Sequence, residues 1–268
     1  MNSTSTVIKA LWFGRLPYLH GLKIQDFLFE KVAKARLFKE FTDPRQCCHY
    51  LCLLEHHPVY TVGLRDYIYT TEEEKRLKSL GAEFHRIKRG GQITFHGPGQ
   101  LVAYPIFDLK KLHVRRPDME ITSVGARRFV HLVEEALIQL CKEDYSITNV
   151  DRTDNPGVWV EGTRKIAAIG VQIRHDITSH GFALNCNTDL KWFDHIVPCG
   201  LEGKTVTSLT KELKNEIRVK DLLVPVCQKF EKIFQCPVEL QDTQTSDMIY
   251  QEVTHSKEQE QQADDKNK

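Results

Sequence analysis

The sequence predicts an α/β domain with a mixed, largely antiparallel sheet flanked by helices. In two long stretches, residues 22–41 and 121–140, apolar residues recur mostly three or four positions apart, as in amphipathic helices. Short apolar runs separated by tight-turn residues, such as 93–95 and 101–107, are typical of strands joined as hairpins. Helices mixed with hairpin-spaced strands favour a partly antiparallel sheet over a doubly wound parallel one.

Composition places the chain among ordinary globular proteins with one substantial core. Of its 268 residues, 41% are hydrophobic and 27% are charged, and we assign residues 7–240 to a single domain. Lys and Arg (37) nearly balance Asp and Glu (36), which argues against nucleic-acid binding by bulk charge. No apolar run approaches the roughly 20 residues of a membrane span, so we expect no membrane partner.

Both ends of the chain have a biased composition. The first acidic residue is Asp26, so residues 1–6 have the character of a weak import signal. Residues 241–268 are rich in polar and charged side chains, and we expect them to form a disordered tail. The eight cysteines are scattered without regular spacing, which favours a reducing compartment over a disulfide framework.

Between the two long helices the sequence predicts strands and one short helix. The short helix follows Thr71 and Glu74, which have the spacing of a capping box, and Gly81 can end it in the left-handed conformation. The strands are predicted at 50–54, 59–62, 84–87, 93–95 and 101–107.

After the second long helix the pattern changes to three more strands and a last helix. The strands are predicted at 158–160, 166–173 and 182–185. The last helix is predicted at 219–234, where Pro225 is tolerated only if it lies near the first turn.

A glycine-rich segment lies at residues 89–100, immediately before an apolar strand. Its four glycines remove side-chain bulk, so that a ligand can lie directly on the backbone. The alternative is two ordinary turns of a hairpin. The glycine spacing differs from that of a dinucleotide-binding fingerprint, so we do not predict a nucleotide site here.

Cysteine and histidine are dense between residues 47 and 57, which raises the question of a zinc site. Neither a CxxC nor an HxxxH spacing is present, and the run lies within an apolar strand pattern. In that setting cysteine usually serves as a small buried hydrophobe. We therefore predict a structural role and no metal.

Three other residues are candidates for chemistry. Cys199 lies between Pro198 and Gly200, where it is either a nucleophile or an inert loop cysteine. Lys165 opens an apolar strand, where it is either a partly desolvated base or a solvated charge at a strand end. His180 begins a strand of small residues, and a structural role is as plausible as a catalytic one.

Taken in order, four segments resemble the lipoyl(octanoyl) transferase family, the octanoyl-[acyl-carrier-protein]:protein N-octanoyltransferases. The stretch from His180 to Gly203 is especially similar to the animal mitochondrial members, and the similarity extends from about Val7 to about Leu240. The resemblance implies a fold like the catalytic domain of biotin and lipoate protein ligases. The segments that carry it are 89–100, 164–170, 180–185, and 198–200 with 207–209.

The resemblance also implies roles for individual residues. Cys199 matches the cysteine that carries the octanoyl thioester, and Lys165 matches the lysine that tunes that cysteine. No cofactor and no metal are implied. The acyl group would be bound by the residues Arg89, Gly90, Gly91, Gln92, Ile93, Thr94, Phe95, His96, Ala168, Ile169, Gly170, Gly181, Phe182 and Ala183.

The resemblance further implies partners and a location. The donor would be octanoyl-acyl carrier protein, and the acceptors would be lipoyl domains such as the glycine cleavage H protein and 2-oxoacid dehydrogenase E2 subunits. The location would be mitochondrial. Three basic clusters, at 75–78, 86–89 and 110–116, offer surfaces for an acidic carrier protein. The middle cluster runs into the glycine-rich segment, so we expect Lys88 to steer the carrier there.

Three other functions remain open at this point. An ATP-dependent lipoate or biotin ligase would share the fold but would need no cysteine. A non-catalytic module that binds a carrier protein is the second alternative. A cysteine hydrolase that uses His96 or His180 as its base is the third.

Overall fold

The computed structural model describes residues 6–37, 49–64, 69–115, 121–197 and 203–266. Within these residues nine strands form one central sheet, in the order β14-β1-β2-β6-β12-β11-β10-β9, with β13 beside β11. These strands are β1 (Ile8–Leu16), β2 (His49–His56), β6 (Gln100–Ile106), β9 (Val150–Asp151), β10 (Val158–Val160), β11 (Arg164–Arg174), β12 (Ile177–Asn185), β13 (Thr205–Val206) and β14 (Val238–Leu240).

The central sheet is mixed and largely antiparallel, which confirms the predicted fold class. Strand β1 is parallel to both β2 and β14, and β13 is parallel to β11. The remaining neighbours from β2 through β6, β12, β11 and β10 to β9 are antiparallel. Short connections suffice between antiparallel neighbours such as β11 and β12.

Helices cover both faces of this sheet. On one face, α3 (Ala126–Gln139) and α5 (Leu223–Phe234) bury Phe129 and Phe230 against Leu101 and Ala103 of β6. On the other face, α1 (Tyr18–Leu37) and α6 (Thr243–Lys266) contribute to a core that contains Val102 and Tyr104 of β6. The alternation along β6 thus assigns successive side chains to separate cores.

A smaller sheet with its own core carries the glycine-rich segment. It consists of β4 (Glu83–Arg86), β3 (Val59–Val62) and β5 (Ile93–His96), in that order. Leu77 of α2 (Thr71–Ser79) packs into its core. The capping residue of α2 is Thr70, whose hydroxyl accepts a hydrogen bond from Glu73 N–H at 3.3 Å, one position earlier than predicted.

The predicted helix at 121–140 is wrong in its first turn. Residues Ile121–Ser123 form β8, which pairs with β7 (His113–Arg115), because a hairpin partner offers the β-branched Ile121 and Thr122 an alternative to helix. The helix starts only after Gly125, and its end continues as a π-helical turn, Leu140–Asp144.

The last predicted helix is divided in two. Residues Val219–Leu222 form a 3-10 turn, and α5 follows it. Pro225 is the third residue of α5, where the missing N–H has no intrahelical partner to lose. The short helix α4 (Leu209–Leu213), which was not predicted, lies between β13 and this turn.

The prediction of a disordered tail is wrong for residues 243–254. This part of α6 packs on α1 and β1, with Val253 buried and Tyr250 Oη hydrogen-bonded to His20 Nδ1 at 2.8 Å. Three apolar residues on one face, which include Ile249, are enough to hold the helix even though the segment is mostly polar. Across the described residues, no helix has the length and apolar character needed to cross a bilayer.

His49 at the start of β2 is a buried histidine that lies outside the candidate site. Its Nδ1 accepts a hydrogen bond from Asp108 N–H at 3.2 Å, so the ring is neutral with its proton on Nε2. Burial lowers the pKa of His49 to about 4. Since the unfolded chain has an ordinary histidine there, it takes up a proton near pH 6.5 and the folded chain does not.

We expect this histidine to make the protein less stable as the pH falls from about 6.5 to 4. In His49→Asn the amide oxygen can still accept from Asp108, but nothing titrates. The free energy of unfolding should therefore fall less steeply in the variant, by about 1 kcal/mol per pH unit. Urea unfolding at several pH values measures the slope, with the exposed His131→Asn as the control. A slope unchanged by His49→Asn would contradict this assignment.

Candidate functional site

A cleft lies over the centre of the sheet, on the α1 side, and its floor is made of small residues. Strand pairing aligns Ala168, Ala183 and Val102 in one row across three strands, and Gly170 with Gly181 in the next row. All five residues line the cleft, which encloses about 530 Å³ of empty space with its mouth included. Small residues in the floor let a ligand lie directly on the backbone of these strands.

The glycine-rich segment borders the cleft from the smaller sheet. Arg89 is only 7% exposed, and its guanidinium donates to Thr61 O and Thr61 Oγ1 at 2.8 and 2.9 Å. Gly90 N–H donates to Val171 O of β11 at 3.4 Å, which ties this segment to the central sheet. The predicted basic cluster at 86–89 is therefore divided, because Arg89 lines the cleft while Lys88 is exposed at the surface.

A buried chain of hydrogen bonds joins the four segments on which the family resemblance rests. Gln100 Nε2 donates to Asn185 Oδ1 at 2.9 Å, and Asn185 Nδ2 donates to Thr207 O at 2.9 Å. Gln100 Oε1 is thereby left to accept from His96 Nδ1–H at 2.8 Å. Thr207 N–H donates to Lys165 O at 2.9 Å. Five residues from four separate segments are thus held in fixed relation.

The histidines of the cleft are neutral. Burial lowers the pKa of His96 to about 4, and the nearby positive charge of Arg89 acts in the same direction. Burial also lowers the pKa of His180 to about 3, again with help from Arg89. Because His96 Nδ1 carries the proton that Gln100 accepts, its Nε2 keeps a lone pair.

A third neutral histidine, His56, lies behind His96. His56 Nδ1 is 3.3 Å from Leu16 O, which can only accept, so the His56 proton is on Nδ1. Tyr104 O–H then donates to His56 Nε2 at 2.7 Å. Burial keeps the pKa of His56 well below its usual value and raises that of Tyr104. The histidines at and behind the cleft are therefore polar but uncharged, which suits an apolar ligand, and Arg89 keeps its positive charge in the cleft wall.

His180 adopts a backbone conformation that side chains disfavour. Its φ is +54° within β12, and its N–H donates to Gln25 Oε1 of α1 at 2.6 Å. Backbone strain of this kind persists only where surrounding contacts over-determine it, and it is found most often at functional sites.

Lys165 is buried, 6% exposed, at the start of β11. Its Nζ lies 4.6 Å from the ring centre of Trp159, and Lys204 Nζ lies 4.5 Å from the same ring. Gly157 makes room for the lysine stem, because a Cβ there would lie 3.3 Å from Lys165 Cε and 2.6 Å from Ala167 O. The sequence left open whether Lys165 is desolvated or solvated, and the structure shows that it is desolvated.

Three cavities meet at Lys165. The first is the cleft itself, and another runs past Asn155 and Pro156. The third, which we call the lysine pocket, is lined by Lys165, Lys191, Lys204 and Lys211 together with Asp194, Trp159 and neighbouring apolar residues.

Cys199 lies outside the described residues. The described positions on either side of its segment are informative, because Ile196 and Lys204 both line the lysine pocket. Both flanks of the Cys199 segment are therefore anchored at a cavity that Lys165 shares.

The structure brings together most, but not all, of the predicted acyl-binding residues. Eleven of the fourteen line the cleft: Arg89, Gly90, Gly91, Thr94, His96, Ala168, Ile169, Gly170, Gly181, Phe182 and Ala183. Ile93 and Phe95 instead lie in the core of the smaller sheet, since alternate residues of β5 point to opposite faces. Gln92 also lies outside the cleft lining.

Several cleft residues were missed by the sequence analysis. Tyr18 comes from the start of α1, and Val102 and Tyr104 come from β6. The period of two along β6 could have placed Val102 and Tyr104 on one face, but no local signal connects Tyr18 with the glycine-rich segment.

Comparisons with known proteins agree with this geometry. The family model described as the lipoyl protein ligase A/B catalytic domain matches residues 17–231. The mitochondrial octanoyl-[acyl-carrier-protein]:protein N-octanoyltransferase of Danio rerio is 42% identical over 239 residues, which cover 88% of this chain and 96% of the relative. The corresponding Homo sapiens protein is 40% identical over 238 residues, covering 88% and 97%. An octanoyltransferase of Flavobacterium psychrophilum is 39% identical over 245 residues, covering 89% and 100%.

Solved structures support the fold. A lipoate-protein ligase A bound with ATP has a TM-score of 0.64 at 12% identity, and the match covers 93% of this chain and 94% of that one. LipL1 of P. falciparum in complex with lipoate has a TM-score of 0.60 at 13% identity, covering 92% and 70%. At this level of identity the similarity concerns the fold alone.

The packing of the cleft floor predicts that alanine substitution at two of its glycines has different effects on stability. A Cβ on Gly181 would meet Ala103 O at 2.2 Å, whereas a Cβ on Gly90 would meet Val171 O at an ordinary 3.6 Å. We expect Gly181→Ala to lower the free energy of unfolding by about 1–3 kcal/mol. Gly90→Ala should change it by less than about 0.5 kcal/mol. Urea unfolding of both variants measures this difference, and equal losses would contradict the packing described here.

Proposed function

Because the chain belongs to the family of lipoyl protein ligase A/B catalytic domains, we propose that it transfers an octanoyl group from octanoyl-acyl carrier protein to a lysine of lipoyl domains. It is an acyltransferase of protein lipoylation, as the names of its animal and bacterial relatives support. One observation carries the assignment of the reaction to particular residues. Both flanks of the Cys199 segment line the cavity that also contains buried Lys165.

In the first half of the proposed reaction, Cys199 takes the acyl group. Its thiolate sulfur attacks the octanoyl carbonyl, a new C–S bond forms, and the bond to the carrier's pantetheine sulfur breaks. The proton released by Cys199 passes to Lys165 and from there to the departing pantetheine thiolate. An ordinary thiol is only about 3% thiolate at pH 7, so a neighbouring lysine can raise the reactive fraction considerably.

In the second half, the acceptor lysine replaces the sulfur. Its neutral amine attacks the thioester carbonyl, the C–N bond of the amide forms, and the bond to Cys199 Sγ breaks. Lys165 is the base that receives the proton of the attacking amine and returns it to the cysteine. The donor is already an activated thioester, so neither ATP nor a cofactor enters the balance.

The cleft supplies the binding site for the acyl chain in this proposal. Its floor of Ala168, Gly170, Gly181 and Ala183 leaves room for a narrow apolar chain, and its histidines carry no charge. Burial of an eight-carbon chain at about 0.8 kcal/mol per CH₂ contributes roughly 5–6 kcal/mol. That is enough to select for chain length.

The acceptors and the location belong to the same proposal. We expect the acceptors to include the glycine cleavage H protein and 2-oxoacid dehydrogenase E2 subunits. A mitochondrial location is supported by the names of the animal relatives, whereas the bacterial relative carries no such name.

An ATP-dependent ligase is the competing function on this fold. Such an enzyme activates the free acid as an adenylate and needs no cysteine. Incubation with octanoate and ATP tests it, and an octanoyl-adenylate formed at the rate of acyl transfer would favour the ligase over the transferase.

The thioester mechanism predicts a covalent intermediate. On mixing with octanoyl-acyl carrier protein and no acceptor, the intact mass should rise by one octanoyl group, and hydroxylamine should remove it. Peptide mapping should place the adduct on Cys199. The five cysteines among the described residues that are free, Cys52, Cys141, Cys186, Cys227 and Cys236, are buried and should stay unmodified. An adduct that persists in Cys199→Ala would sink the mechanism.

Lys165 is predicted to act on the reactivity of Cys199. Lys165→Met keeps an apolar stem beside Gly157 but removes the ammonium that lies over Trp159, so the fold should be retained. We expect alkylation of Cys199 at pH 7 to slow by about tenfold, as measured on the peptide that contains it. Lys204→Met, which removes the other ammonium over Trp159, is the matched control. If the alkylation rate of Cys199 in Lys165→Met equals that of the wild type and of Lys204→Met, Lys165 does not tune the thiol.

A further inference from the structure

The lysine pocket has a charge that the acyl transfer chemistry at Lys165 does not explain. It encloses about 1010 Å³ of empty space with its mouth included, and the described residues of its lining include four lysines and one carboxylate, that of Asp194. The formal charge of these described residues is therefore +3. Lys191 and Lys211 are exposed, and Lys204 is half-buried.

Within the described part of the chain, no carboxylate forms an ion pair with Lys191, Lys204 or Lys211. The basic clusters that were predicted from the sequence differ in this respect. Lys78 pairs with Glu74 at 2.7 Å, and Lys110 pairs with Asp176 at 3.0 Å. Local carboxylates thus pair with some of the basic residues in those clusters. Lys191, Lys204 and Lys211 have no such ion pair among the described residues, so they can contact an anion from outside.

The position of the lysine pocket limits what that anion can be. Lys165 lies in the wall that the pocket shares with the cleft, so a ligand in the pocket has one end beside the acyl-transfer centre. Trp159 and Phe193 provide apolar surface between that end and the exposed lysines. A suitable ligand is a flexible chain with a reactive end and an anionic end.

We propose that the lysine pocket binds the phosphodiester of the 4′-phosphopantetheine arm of the donor carrier protein, with the exposed Lys191 and Lys211 as its cationic contacts. The inference rests on the proposed function, because the thioester at the other end of the arm must reach Cys199 near Lys165. The pantetheine chain lies along Trp159 and Phe193, and no bond is made or broken at the phosphate. The lysines position the arm and take no part in the chemistry.

The experiment compares three donors that differ only beyond the pantetheine: octanoyl-pantetheine, octanoyl-4′-phosphopantetheine and octanoyl-acyl carrier protein. The test variant is Lys191→Gln with Lys211→Gln. The matched control is Lys142→Gln with Lys220→Gln, which removes two exposed lysines elsewhere. In the wild type the phosphate should lower KM by about tenfold relative to octanoyl-pantetheine, and added salt should reduce this advantage.

In the test variant, KM should rise about five- to tenfold for both phosphate-bearing donors and stay unchanged for octanoyl-pantetheine, with kcat unchanged for all three. The control variant should match the wild type. An equal rise in KM for all three donors would overturn the proposal. A rise in KM for octanoyl-acyl carrier protein alone would also overturn it, because the lysines would then contact the surface of the carrier protein and not the phosphate.

A binding measurement separates this proposal from the proposed function. The wild type should bind free 4′-phosphopantetheine about tenfold more tightly than pantetheine in calorimetry, and the test variant should bind the two equally. If that preference is found but no octanoyl adduct forms on Cys199, the acyl-transfer function fails and the phosphate site stands. If the adduct forms without any phosphate preference, the phosphate site fails alone.

Discussion

The site depends on one buried chain of side-chain amides, which runs from His96 through Gln100 and Asn185 to the backbone of Thr207. Buried amides need partners, and each unmatched donor or acceptor would cost about 1–3 kcal/mol. The chain therefore fixes β5, β6, β12 and the segment after Cys199 in one arrangement. Arg164 adds to this frame from β11, because its guanidinium forms two 3.0 Å hydrogen bonds with Glu212.

Charge divides the neighbourhood of Lys165 into two chemically different parts. In the cleft, burial keeps His96 and His180 neutral, so the surface suits an apolar chain. In the lysine pocket, cationic side chains lie around Trp159 and are open to solvent. Lys165 stands at the border of both parts. A molecule with an acyl end and an anionic end would match each part with the corresponding end.

Local patterns in the sequence predicted most of the fold, because periodicity and turn residues act over short distances. They placed β3 and β10 with their observed bounds and identified the glycine-rich segment. These patterns failed where contacts between distant parts of the chain determine the secondary structure. The packing of α6 depends on a few apolar residues that meet α1, and β8 forms because β7 is nearby. At the site, alternation along β5 separates Thr94 and His96 from Ile93 and Phe95, which a per-residue reading of the strand would have shown.

The floor of the cleft is built in rows, and this has a consequence for how its length can change. The row of Ala168 and Ala183 and the row of Gly170 and Gly181 are two residues apart along their strands, a spacing of roughly 7 Å. A larger side chain in either row would shorten the usable length of the cleft by the full spacing between rows. Substitutions in the floor would therefore change the length of the accepted acyl chain in steps of several carbons, rather than one carbon at a time.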